Sequence, residues 1–213
     1  MEPREALRRY LFGYHSSKTD KVTSCFKAAL RDARKATGRR INGNTKPRTN
    51  HGNWLGAIGY MTLLDQIGSC LKPKDKIQSN YETGIKRALD YFSDLPETEI
   101  NALYALRCSF AHDYSLINID KHNPEKDKHK DKLTHRFHVG VNRSAKVLDL
   151  PPKKWDRDFK NKHNITYVNL EAFGDLVEQI CRSIITKYQE SKLELSLPVE
   201  EFVEKYFFHT RKP

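Results

Sequence analysis

Apolar positions recur at three- and four-residue intervals through most of this chain, and at two-residue intervals in one stretch. Leu7 and Leu11 stand four apart between Pro3 and Phe12, which predicts a short basic helix with proline in its first turn. Val22, Phe26, Ala29, Leu30 and Ala33 form a second stripe, with Thr19 or Asp20 placed to cap that helix and Gly38 to end it. From Asn53 to Leu71, residues Trp54, Ile58, Met61, Leu64, Ile67 and Leu71 make a wide apolar face. Gly56 and Gly59 in this segment predict close helix packing, since no strand precedes them as a phosphate-cradling loop requires. Lys72-Pro73 reads as a stop. Tyr81, Ile85, Ala88, Leu89 and Phe92 mark the next helix, closed by Leu95-Pro96. Pro96-Glu97 then opens a fifth helix, and so short a turn predicts antiparallel neighbours.

The character changes between Ile117 and Asn169. Residues 120–132 are almost wholly charged, and His135 to Val141 alternates at period two. Lys146 to Leu150 and Ile165 to Val168 are also strand-like, so a small β-hairpin or three-stranded insertion is expected. Helical spacing resumes at Leu170 with Phe173, Leu176, Val177, Ile180, Ile184 and Tyr188, and Pro198 separates a last short helix bearing Val199, Phe202 and Tyr206. The expected fold class is mainly α: an up-and-down helical bundle with extra N-terminal helices and a small β-hairpin insertion. Residues 1–52 hold the N-terminal helices and a basic loop. Residues 53–213 hold the helical domain, with the charged and β insertion at about 117–169.

Charge then points to a class of partner. Thirty-eight Lys and Arg against 27 Asp and Glu leave the chain at +11, which favours polyanions such as RNA, DNA or an acidic protein. Arg39, Arg40, Lys46 and Arg48 crowd the loop after Gly38, and Lys153 and Lys154 open a second basic run with Trp155 and Phe159 interleaved. Such runs hold phosphates and stack bases, or serve as solvated faces. The four cysteines are widely spaced in apolar segments with no C-x-x-C pair, which predicts reduced thiols and a cytoplasmic protein. No apolar run reaches membrane-spanning length, so no membrane partner is expected.

The most informative stretch is Arg107-Cys-Ser-Phe-Ala-His112-Asp-Tyr114, at the end of the fifth helix. Arginine pairs with phosphate through a planar fork of donors, and histidine can accept and donate a proton near neutrality. Together they are the parts for cleaving a phosphodiester without a metal or other cofactor. Arg107-x4-His112-x-Tyr114 resembles the R-x4-6-H signature of HEPN domains, in the R-x4-H-x-Y form of HEPN toxins paired with nucleotidyltransferases. Cys108 stands where many HEPN proteins have Asn or Asp. The resemblance covers about Asn53 to Tyr114 and, more loosely, Leu170 to Ser191.

Helix geometry sharpens this. Residues five apart point about 140° away from one another at roughly 3.6 residues per turn. Arg107 and His112 therefore cannot meet one phosphate from mid-helix. Either the helix loosens before His112, or another molecule completes the site. The resemblance implies the second: a homodimer with two motifs facing across one basic groove. It also implies an endoribonuclease with Arg107 and His112 catalytic, RNA as substrate, and a toxin–antitoxin or antiviral-defence role. DNA lacks the 2′-hydroxyl and is excluded as a substrate of this mechanism. Tyr114 would stack a base, or accept AMP from a nucleotidyltransferase antitoxin. Asp65, on the polar side of the Trp54 helix, is placed to orient Arg107.

Two other readings fit the same residues. One is a non-catalytic HEPN-like module that binds RNA or a protein, with Arg107 tying the bundle and His112 closing a helix. The other is a helical adaptor whose basic face docks an acidic protein. His135-x-x-His138, with His122 and His129 upstream, is a poor metal set, because residues three apart on a strand face opposite sides.

Overall fold

The computed structural model describes residues 2–13, 22–39, 54–119, 134–141, 146–161 and 163–209. Its elements follow in the order α1 (Pro3–Tyr10), β1 (Val22–Ser24), α2 (Cys25–Ala36), α3 (Trp54–Cys70), β2 (Leu71–Pro73), α4 (Gly84–Phe92) and α5 (Glu97–Asp113). They continue with β3 (Ile117–Asn118), β4 (His135–Gly140), β5 (Leu148–Asp149), β6 (Thr166–Asn169), α6 (Leu170–Gln189), β7 (Leu193–Leu195), α7 (Val199–Tyr206) and β8 (Phe207–His209). The protein is mainly α, with seven helices among the described residues. None of these is long and apolar enough to cross a membrane.

Helix α3 is the hub. It is apolar on most sides and buried or half-buried except along a stripe at Leu55, Thr62 and Ser69, and it packs against α2, α4, α5 and α6. Two glycine contacts set how close its neighbours come. A Cβ on Gly56 would run into the Thr37 methyl beyond the end of α2, and one on Gly68 would overlap the Gly84 carbonyl of α4. The second approach brings the N-terminus of α4 directly over Asp65.

The N-terminal helices share this core. Leu7, Leu11, Phe12, Phe26 and Leu30 are buried in the same cluster as Leu64, Leu106 and Ile180. Phe26 stacks on Phe202 at 5.8 Å between ring centres and meets the edge of Phe12 at 5.8 Å, which joins the two ends of the chain. The fork of Arg34 grips both oxygens of Glu178, Nε to Oε1 at 2.6 Å and Nη2 to Oε2 at 2.7 Å, with both side chains buried. That bidentate pair fixes α2 on α6.

The structure differs from expectation at three places. Helix α2 begins at Cys25 and is capped by Ser24, whose Oγ accepts from the Lys27 amide at 3.0 Å. Thr19 and Asp20, the expected caps, lie outside the described residues. Val22 to Ser24 is instead a strand, paired antiparallel with Phe207 to His209. Lys72-Pro73 does mark the end of the helix, which stops at Cys70, but Leu71 to Pro73 then forms a strand that pairs antiparallel with Leu193 to Leu195. Three-residue strands carry no period to read, and their partners lie far off in sequence.

The third difference is the insertion, which is a four-stranded sheet in the order β3-β4-β6-β5. Strands β4 and β6 run parallel, Phe137 opposite Thr166 and His138 opposite Tyr167, while β3 and β5 pair antiparallel at the edges. A parallel pair needs a crossover and cannot be closed by a hairpin turn. The alternation located β4, β5 and β6, which share one sheet with β5 and β6 antiparallel; the parallel β4–β6 pair and the edge strand β3 were not expected. Strand β6 runs straight into α6, where Asn169 Oδ1 caps the helix by accepting from the Glu171 and Ala172 amides.

Candidate functional site

Helix α5 starts after Pro96, with Glu97 and Glu99 in the first turn, where the helix dipole favours negative charge. Its apolar residues Ile100, Leu103, Leu106 and Phe110 are buried, which turns Arg107 and His112 away from the core to different degrees. The helix stays regular through Asp113 and ends at Tyr114, which takes the left-handed conformation (φ 48°, ψ 43°). Tyr114 N donates to Phe110 O at 3.3 Å and Ser115 N to Ser109 O at 3.1 Å, satisfying the last carbonyls.

Because the helix does not loosen, Arg107 and His112 keep their separation of about 140° around the axis and about 7.5 Å along it.

Arg107 is held from below. Its Nε donates to Asp65 Oδ2 at 2.7 Å, with side-chain exposures of 33% and 23% for the pair. The second oxygen, Asp65 Oδ1, accepts from the Ile85 amide at 2.8 Å in the first turn of α4. Thr83 occupies the N-cap position of α4 but makes no capping bond, and its Oγ1 is buried without a partner. Asp65 therefore supplies from α3 the cap that Thr83 does not, while it anchors the arginine of α5. Burial by itself lowers the Arg107 pKa, and the hydrogen bond and charge of Asp65 outweigh it, leaving the pKa raised. The terminal nitrogens Nη1 and Nη2 make no hydrogen bond among the described residues.

Around this anchor lie residues that sequence reasoning missed. Tyr104 sits one turn before Arg107, and its phenol is pushed up to about 12, first by burial and then by the neighbouring Cys108 thiol. Lys86 Nζ lies over the Tyr104 ring at 4.6 Å and over Tyr81 at 5.3 Å, so a second cation flanks the same helix face. The i, i+3 spacing of Tyr104 and Arg107 was a readable signal, whereas the approach of Lys86 depends on how α4 meets α5.

His112 is exposed in the last turn of α5. Tyr114 is 52% exposed and leans on Trp54 and Phe110, with ring centres 5.6 and 6.2 Å away. Trp54 and Phe110 stack on each other at 5.7 Å. The end of α5 thus presents an imidazole beside an aromatic cluster.

The proposed RNA-contacting cations fall into three groups. Arg39 is buried: Nη1 donates to Asp175 Oδ1 at 2.7 Å and Nη2 donates to the Glu171 carbonyl, so its guanidinium serves to fasten α6. Arg40, Lys46 and Arg48 lie outside the described residues. Lys153 and Lys154 are exposed on the segment after β5. His135 and His138 turn to opposite faces of β4: His135 Nδ1 is 2.9 Å from Thr166 Oγ1, and His138 lies beside Tyr167. His122 and His129 lie outside the described residues, among which no three His, Cys, Asp or Glu side chains converge. An open cleft of ≈ 280 Å³, lined by Lys72, Arg87, Tyr91 and Glu194 among others, is bordered by no residue of α5.

The likeness to HEPN domains rests on the α5 motif itself, for no protein-family model, curated protein or solved structure matches this chain.

Proposed function

We propose that this chain is a metal-independent endoribonuclease of HEPN type, a homodimer that cuts RNA through the ribose 2′-hydroxyl in a toxin–antitoxin or antiviral-defence role. The observation that carries this reading is the state of Arg107. Asp65 fixes its Nε, and Nη1 and Nη2 keep no partner among the described residues, as a phosphate-gripping fork requires. The regular helix through Asp113 supports a site completed by a second copy, since residues five apart on it point about 140° from one another.

In the composite groove, His112 of one copy takes the proton of the 2′-hydroxyl, and the freed oxygen attacks the adjacent phosphorus. The bond to the 5′ oxygen breaks, and that oxygen is protonated by the second His112 or by water. Arg107 stabilises the charge that gathers on the phosphorane-like transition state. The products are a 2′,3′-cyclic phosphate and a 5′-hydroxyl. Tyr114, half-exposed beside the site, is within reach of a base or of a nucleotidyltransferase antitoxin.

The test is incubation of the pure protein with RNA in excess chelator, beside His112→Ala and Arg107→Ala. Cutting that needs both residues and leaves cyclic phosphates supports the enzyme. A second reading, a non-catalytic RNA- or protein-binding module, draws on Asp65. A carboxylate that caps α4 and pairs with Arg107 is useful to the bundle without any chemistry. RNA retention with no cutting selects that reading.

A further inference from the structure

The outward face of the sheet carries chemistry that α5 does not use. On β4, Phe137 and Val139 are buried, so Arg136 and His138 turn outward. On β6, Thr166 and Val168 are buried and Tyr167 stands out, 38% exposed. The register sets His138 beside Tyr167, with ring centres 5.3 Å apart. Phe159, from the segment between β5 and β6, is 61% exposed. Arg136 holds it, with the guanidinium 5.2 Å from the ring centre and Nη1 donating to the Phe159 carbonyl at 2.8 Å. Buried Trp155 meets Phe159 edge-on at 5.2 Å. Phe159 is thus held by Arg136 and Trp155, while His138 and Tyr167 lie against each other.

The loop bearing Phe159 directs its acids toward itself. Asp156 accepts from the Asp158 amide at 3.0 Å and from the side-chain amides of Asn161 and Asn164 at 2.9 and 3.3 Å. Asp158 Oδ1 accepts from the Lys160 amide at 2.8 Å. Lys153, Lys154, Arg157 and Lys160 are exposed around them. Asp149, opposite Tyr167, is the acid on the face itself.

Exposed rings rimmed by cations match unpaired bases joined by phosphates: the bases stack on the solvent side of the rings and the lysines meet the backbone. A duplex offers no such base faces. We propose that Phe159, Tyr167 and His138, with Lys153 and Lys154 at the rim, form a binding surface for single-stranded RNA. This goes beyond the α5 reading. It shares the RNA ligand and none of the catalytic residues, so each can fail alone.

The probe is a fluorescent 2′-O-methyl oligouridine, which cannot be cut because its 2′-oxygen is blocked. Binding to the full chain is followed by anisotropy across a salt series. Phe159→Ala and Tyr167→Ala should each weaken binding about 5- to 150-fold while leaving the salt slope unchanged. The Lys153→Ala/Lys154→Ala variant should lower that slope by about 0.7 per lost contact. Leucine at either ring position keeps apolar volume without the ring, and gives the same result should an alanine variant unfold. Wild-type affinity in both ring variants overturns the proposal, as does an equal loss on a duplex of the same length. His112→Ala should keep this binding while it loses cutting, which separates failure here from failure at α5.

Discussion

Asp65 and Arg107 are joined at 2.7 Å through the inner nitrogen of the guanidinium, which spares the two outer ones. The same carboxylate closes the first turn of α4 through the Ile85 amide. One side chain of α3 thereby fixes the relation of α4 to α5, and the close approach of Gly68 to Gly84 puts it within reach.

This double role predicts a split between two substitutions. Asp65→Asn keeps an oxygen for the Ile85 amide and removes the charge that holds Arg107. Its stability in urea should stay within about 1 kcal/mol of wild type, because the ion pair is partly solvated. Its RNA cutting should fall at least about ten-fold as the guanidinium loses its fixed aim. Asp65→Ala should lose about 1–2 kcal/mol more, the worth of a helix cap. Equal cutting by Asp65→Asn and wild type would show that the pair only braces the bundle.

The Arg34–Glu178 pair should behave as a buried bidentate contact. Glu178→Ala strands a guanidinium in the core and should cost about 3–5 kcal/mol in a denaturant melt. Arg34→Met with Glu178→Met replaces both charges by apolar volume and should melt near or above wild type. A single variant within about 1 kcal/mol of wild type contradicts the burial on which this rests.

Alkaline pH offers a third test. Tyr104 is pushed up to about 12 by burial and then Cys108, and Tyr206 to about 12 by its hydrogen bond with Cys70 and then burial. In the unfolded chain both ionise at their ordinary 10.0. Below that pH both states hold the protons and the contribution is complete. As pH rises from about 10 towards 12 the unfolded chain releases them first, so stability falls. Melts through this window should show the decline, and Tyr104→Phe should lessen it by the share of that residue, leaving that of Tyr206. A decline of the same steepness in Tyr104→Phe would assign it to other groups.

How far the sequence carried depends on whether the cause was local. Helix α5 was readable at both ends, because Pro96-Glu97 and the last apolar residue, Phe110, lie within the segment they bound. Asp65 was picked out by its place on the polar side of α3, although its partner is 42 residues on. Arg39 misled because it heads a basic run, while Asp175, which claims it, lies 136 residues away. Strands β1 and β2 were invisible for the same reason. The sheet lay between these cases, with strands visible from alternation and their order set by a crossover that no local pattern encodes.

If Arg107 and His112 act on one phosphate from two copies of the chain, mixing two inactive variants should restore cutting. Arg107→Ala and His112→Ala are purified separately, shown not to cut RNA in chelator, then combined and allowed to exchange subunits. Each mixed dimer holds one intact Arg107 on one copy facing one intact His112 on the other. Half of the dimers are mixed and each keeps one of its two Arg107–His112 pairs, so up to roughly a quarter of the wild-type rate should return, the full quarter when water protonates the leaving oxygen. A mixture as inactive as its parents, in a preparation where mixed dimers have formed, would rule out a site shared between copies.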